Sequence, residues 1–224
     1  MKPKQLIIIG GGKSISEGIE LGLWEALKDR FTIGCNYAYR YLDCTILTYV
    51  DPKFQNKNWS GINNIPLKVS RNGSDMPKMS NVYYIPNSTI YHREAKIREG
   101  LYSKFLTGVF SLSLAIKLLD IGEIFLLGYD SNTVFKKDGA RLIFDNNFHS
   151  IDEWHQKVNY NSLPKYRNMF EVFRSEKKCK IYNVGKKSQL QTFDKITYLD
   201  FFDKLKGYIN QNELRKTIRR QIES

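Results

Sequence analysis

Two histidines, a short run of cations and a set of polar residues at apolar-segment ends are the chain's candidates for chemistry. His155 and His149 fall in one stretch of little periodicity, and an imidazole with an ordinary pKa near 6.5 suits a general base. Lys136, Lys137 and Arg141 lie just upstream, where positive charge can hold a diphosphate or stabilise a leaving phosphate. Gly10, Gly11 and Gly12 follow four consecutive apolar residues, with Ser14 just beyond. Asn36, Asp51, Tyr129, Asp130 and Asn132 each follow another apolar run. Thr107 and Gly108 open a run that is apolar nearly all round. Backbone N–H groups at such a glycine turn favour an anion, and the polar residues can bond a base or ribose. Asp130 and Asn132 could alternatively hold a metal, a weaker reading because no Asp-x-Asp motif occurs there.

The elements that must position these residues alternate between strand and helix. Lys4–Ile9 reads as a strand buried on both faces, followed by the glycine turn and a helix that Ser14 or Ser16 caps. Residues 31–35, 44–50, 81–86, 123–127 and 180–184 read as further strands, and Ile65–Val69 as a short one in a connecting region rich in Asn, Ser, Lys and Gly. Helices are expected at 107–119, around 168–173 and at 199–209. Every candidate polar residue up to Asn132 then lies at the carboxyl edge of a parallel sheet or at a helix start, where open α/β sheets bind ligands. The Rossmann G-x-G-x-x-G pattern is not met, because Ile15 stands at its third glycine, and the P-loop spacer is absent.

The chain has 224 residues, 42% of them hydrophobic, enough for one large domain with a real core. Its three cysteines, Cys35, Cys44 and Cys179, lack metal-ligand spacing and fit buried thiols in a reducing compartment. No apolar run approaches a membrane span, and no leader is visible, which points to the cytoplasm. A net charge of +12 suggests a polyanionic partner: nucleic acid, an anionic membrane surface or a phosphorylated substrate. Basic and aromatic residues interleave over 87–105, a pattern of nucleic-acid faces and of ordinary surface loops alike. Residues 133–165 read as a lid or insertion. Residues 210–224 carry Arg215, Lys216, Arg219 and Arg220, and read as solvated helix or as a basic arm for membrane or nucleic acid.

The order of these segments resembles the bacterial sialyltransferases of glycosyltransferase family 42. Residues 7–15, Ile-Ile-Ile-Gly-Gly-Gly-Lys-Ser-Ile, resemble that family's GNGPSL opening, and Cys35-Asn36-Tyr37 its CNxF. Tyr49-Val50-Asp51-Pro52 resembles its YNP, with Asp51 in place of Asn. Thr107-Gly108-Val109, Ala115-Ile116 and 123–130 resemble TSGV…AIALGYKEIYLSGID. Tyr182-Asn183-Val184 through Ser188-Gln189-Leu190 resembles the closing strand and turn. The DUF115 family, with its pterin diphosphokinase-like proteins, shares the opening and the G-x-D strand.

The resemblance implies a single α/β domain over 1–224, a Rossmann-like parallel sheet flanked by helices (a GT-A variant) with the lid at about 133–165. It implies a metal-independent glycosyltransferase with a nucleotide-sugar co-substrate, CMP- or UDP-type, and no other cofactor. Gly11, Gly12, Asn36 and Asp51 would line the nucleotide pocket, and Thr107 and Gly108 would hold the donor. His155 would be the base, with His149 the second choice. The family's two phosphate-binding tyrosines fall here on Asn132 and Leu142, so Lys136, Lys137 and Arg141 would take over that task. The acceptor would be a glycan or a polyanion such as modified DNA, and the chain is a candidate homo-oligomer. Two rival readings remain: a DUF115-like diphosphokinase using ATP and Mg²⁺ with Asp51, Asp130 and Asn132 as ligands, and a polyanion-binding protein without activity.

Overall fold

The computed structural model describes residues 4–103, 106–118, 121–131, 133–135, 142–144 and 163–224. In chain order the elements are β1 (Gln5–Ile9), α1 (Ile15–Glu20), α2 (Leu23–Ala26), β2 (Thr32–Cys35), β3 (Ile46–Tyr49), α3 (Pro52–Ile62), β4 (Lys68–Asn72), β5 (Val82–Ser88) and β6 (Leu101–Tyr102). There follow α4 (Thr107–Lys117), β7 (Glu123–Leu127), β8 (Thr133–Phe135), β9 (Leu142–Phe144), α5 (Leu163–Asn168), β10 (Lys180–Val184), β11 (Asp194–Ile196), α6 (Tyr198–Lys204) and α7 (Gln211–Glu223).

Nine of the described strands form one sheet in the order β11-β10-β7-β1-β2-β3-β4-β5-β6. Every pairing in it is parallel. The apolar runs explain why. A strand covered on both faces needs no polar side, and alternate side chains feed two separate cores. Leu6, Ile8, Ile33, Ile124 and Ile181 join one core with Val109, Leu112 and Phe173. Ile7, Ile9, Leu47, Phe125 and Tyr182 join the other with Leu23, Phe54 and Phe201. The expected Rossmann-like α/β fold is the one observed. β8 and β9 pair antiparallel as a separate hairpin within the stretch read as a lid.

Several segments differ from the sequence reading. The Asn- and Lys-rich connection after Asp51 begins as a helix, α3. The Asp51 carboxylate accepts from Lys53 N–H at 2.8 Å, and Pro52 occupies the first turn, where its missing N–H costs nothing. The polar residues on its inner face are satisfied: Gln55 donates to Pro77 O at 2.7 Å and Asn58 to Phe54 O at 2.9 Å. The fourth strand lies three residues beyond the expected start at Ile65.

The third difference is the C-terminal segment, which is docked rather than solvated. Leu214, Ile218 and Ile222, one turn apart, join the core that α4 fills. Arg215 is only 5% exposed and donates to Thr45 O at 3.2 Å, Cys44 O at 2.9 Å and Asp43 at 3.0 Å. Arg219 donates to Pro66 O at 2.6 Å and Lys216 to Glu213 at 2.8 Å. Of the tail's cations Arg215 is thereby buried, whereas the Lys216–Glu213 pair lies at the surface. α6 is shorter than expected and gives way before Gly207, whose φ of +69° suits glycine. Cys35, Cys44 and Cys179 are buried free thiols, as expected.

Candidate functional site at the carboxyl edge of the sheet

From β1 the chain moves outward on one side through β2 to β6, then returns through α4 to β7 on the other side of β1. The order therefore reverses between β1 and β7, and the loops leaving their carboxyl ends flank the crevice where doubly wound sheets take ligands. Gly10–Gly12, Asn36, Thr107–Gly108 and Tyr129–Asp130 all lie on this edge.

The β1 and β7 loops stay in contact beyond their strands. Gly10 N–H donates to Leu127 O and Gly12 N–H to Gly128 O, both at 2.8 Å. A Cβ on residue 10 would lie 2.9 Å from Gly128 O, and one on residue 12 would lie 2.5 Å from that oxygen and 2.8 Å from the Asp130 carboxyl. Glycine at 10 and 12 thus answers first to the packing of one loop on the other. Gly10 is buried, whereas Gly11 and Gly12 are partly exposed.

Ser14 stands at the cap position of α1, but its hydroxyl does not cap the helix. Both its Oγ and its backbone N–H donate to Asp130, the latter at 2.6 Å to Oδ2. Asp130 is 1% exposed. The anion at the start of α1 is therefore the protein's own carboxylate. Behind it, Ser188 Oγ lies 3.0 Å from Tyr129 O and 3.2 Å from Asp130 O, Asn183 Nδ2 donates to Ser188 Oγ at 2.8 Å, and Gln189 N–H donates to Asp130 O at 2.8 Å. Asn183 and Ser188 hold the β7 loop in place, a role the sequence reading missed; the Asn-x₄-Ser spacing after a strand was its only trace.

On the other flank, Asn36 leaves β2 with φ +49°. Its Oδ1 accepts from Thr107 Oγ1 at 3.3 Å. Beneath them Ser111 Oγ donates to Thr107 O at 2.7 Å, and Thr48 Oγ1 and Cys35 Sγ lie 2.7 and 3.1 Å from Ser111 Oγ. Tyr129 completes the group, donating to Gly108 O at 3.2 Å. Burial raises the Tyr129 phenol well above its usual pKa, with the Cys35 sulfur adding to the shift, so it stays a neutral donor. Burial likewise raises the Cys35 thiol, against hydrogen bonds from Ser111, Tyr129 and Thr48 that lower it.

Asp51 is exposed and serves α3 as its cap. Asn132, Lys136, Lys137, Arg141, His149 and His155 lie outside the described residues. Among the described residues no cluster of three or more His, Cys, Asp or Glu is arranged to hold a metal. Arg71, also missed from sequence, lies near the carboxyl end of β4: its Nε donates to Val50 O at 2.7 Å and its two terminal nitrogens meet the Asp75 carboxylate at 2.7 and 2.5 Å. A cleft of about 470 Å³ lies at the opposite edge of the sheet, beside the start of β10, lined by Arg174, Lys177, Lys178 and Lys180.

The fold and this edge define the chain as a Rossmann-like α/β protein with a parallel sheet. No protein-family model and no curated protein matches it. The chain is similar in fold to the solved MAf glycosyltransferase from Magnetospirillum magneticum AMB-1, with a TM-score of 0.59 and 12% identity, over 98% of this chain and 37% of that one. It thus spans well under half of that protein's length. No helix among the described residues is long and apolar enough to cross a membrane.

Proposed function

We propose that the chain is a glycosyltransferase that moves a sugar from a nucleotide-sugar to a hydroxyl acceptor at the crevice between the β1 and β7 loops. The observation that carries this reading is the Asn36–Thr107 hydrogen bond at the carboxyl edge where the strand order reverses, in a fold similar to that of a protein that bears the name glycosyltransferase. The donor is a CMP- or UDP-sugar. His155, or His149 in its place, takes the proton of the acceptor hydroxyl. The acceptor oxygen attacks the anomeric carbon, the bond from that carbon to the phosphate oxygen breaks, and the nucleotide leaves with the electron pair. Lys136, Lys137 and Arg141 stabilise the departing phosphate, so no metal is needed. The acceptor is a glycan or a polyanion such as modified DNA, the latter in keeping with the net charge of +12.

The test is a thermal-shift screen with CMP, UDP, GDP, ATP and their sugar conjugates, with EDTA and with Mg²⁺. A ligand of the native state raises Tm by mass action. The expected result is a metal-independent shift with CMP or UDP, larger with one sugar conjugate. A shift only with ATP and Mg²⁺ would replace the transferase by the diphosphokinase reading. No shift at all would leave a polyanion-binding protein.

A further inference from the structure

Asn36 and Thr107 meet in a way that separates their roles. Asn36 holds a left-handed backbone, a conformation that asparagine tolerates better than most non-glycine residues. Its side chain is half-buried at the crevice, whereas Thr107 is buried. The Thr107 hydroxyl has one proton, and it goes to Asn36 Oδ1. With Oδ1 occupied, the amide is turned so that its NH2 group is the free end, and among the described residues nothing accepts from Nδ2. Thr107 is in turn fixed through its carbonyl by Ser111, and Ser111 by Thr48 and Cys35. A buried chain of hydrogen bonds therefore ends in one outward-facing donor.

We infer that Thr107 is a positioning residue that does not touch the ligand, and that it sets the Asn36 amide to donate to an acceptor atom of the nucleoside, a base carbonyl or ring nitrogen. This rests on the nucleotide-binding reading of the crevice. It assigns Thr107 to orientation, where the family resemblance gives it a direct hold on the donor. It also makes the site selective for ligands that present an acceptor at that point, since a buried or half-buried donor left unmatched weakens binding.

A double-mutant cycle read by titration calorimetry with CMP and UDP in EDTA tests it. Thr107→Val, nearly the same shape without the hydroxyl, weakens binding of the preferred nucleotide about tenfold, and Thr107→Ser stays within about twofold of the parent. Asn36→Gly, which keeps the left-handed backbone free of strain, weakens binding by a similar factor. In the Asn36→Gly background Thr107→Val has no further effect. Losses that multiply, or a Thr107→Val protein that binds as the parent does, overturn the inference. Should Asn36→Gly fail to fold, Asn36→Asp keeps backbone and shape while replacing the donor by an acceptor, and binding falls; unchanged binding overturns the inference. If the parent protein binds neither nucleotide, the nucleotide reading of the crevice falls and the inference with it.

Discussion

The backbone N–H of Ser14 donates to Oδ2 of Asp130 at 2.6 Å, and the Ser14 hydroxyl donates to the same carboxylate. Asp130 follows β7 and Ser14 follows β1, so one buried carboxylate staples the two loops that flank the crevice. It also fills the anion position at the start of α1. On the nucleotide reading proposed above, a phosphate would have to sit further out, toward Gly11 and Thr107–Gly108.

Asp130→Ala leaves the half-buried Ser14 N–H and hydroxyl without this partner. Urea denaturation should show a loss of about 2–4 kcal/mol for it, against about 1 kcal/mol for Ser14→Ala, whose backbone bond persists. The two changes should be strongly non-additive. An Asp130→Ala protein with the parent's midpoint would mean that the staple carries no stability.

Gly12→Ala tests the same contact from the backbone side. The added methyl would stand 2.5 Å from Gly128 O and 2.8 Å from the Asp130 carboxyl, and neither can yield without opening the loop pair. Overpacking of this kind costs about 1–3 kcal/mol. By contrast, Gly22→Ala meets no atom within 4 Å, so its effect comes only from a φ of +84°. Differential scanning calorimetry should rank Gly12→Ala as the more damaging of the two.

Much of this frame is legible in the sequence because it follows from local patterns. Leu6–Ile9 and Ile124–Leu127 are short apolar runs bounded by turn residues, as buried parallel strands are, and the polar residues after each strand mark the carboxyl edge where the candidate site lies. What is not legible depends on partners far along the chain. Nothing near Asp130 indicates that its carboxylate meets Ser14, 116 residues away. The helix α3 hides behind Asn and Lys because its inward residues include Gln55 and Asn58, satisfied only once Pro77 and Phe54 are in place. The docking of α7 left a signal that composition masked: Leu214, Ile218 and Ile222 repeat every four residues among nine polar or charged neighbours over 211–222.

The docked tail yields a prediction that separates structural from surface cations. Arg215→Ala should cost about 2–3 kcal/mol in chemical denaturation, since it orphans the carbonyls of Cys44 and Thr45 and the buried stem packing. Arg220→Ala, on the exposed side of the same helix, should stay within about 0.5 kcal/mol of the parent. Equal midpoints for the two variants would mean that the helix does not hold this pose in solution.

Acid should weaken the contacts that Glu176 makes. Burial pushes its carboxyl upward, but the N–H groups of Lys178 and Lys177, the Tyr91 hydroxyl and the Arg93 guanidinium more than offset this, so its pKa lies below the usual value. Tyr91 donates at 2.9 Å and Arg93 Nε lies 3.4 Å away, tying the 89–100 loop to the lead into β10. A carboxyl with a lowered folded-state pKa binds protons more readily in the unfolded chain. Its stabilisation is thus complete above an unfolded pKa of about 4.3 and is lost as pH falls from there through the lower folded value. Glu176→Gln should cost about 1 kcal/mol at neutral pH, discounted for the partly exposed arginine, and should flatten the stability curve between pH 5 and the acid transition. Urea midpoints measured at several pH values for both proteins check this: parallel curves would show that Glu176 takes no part in the acid response.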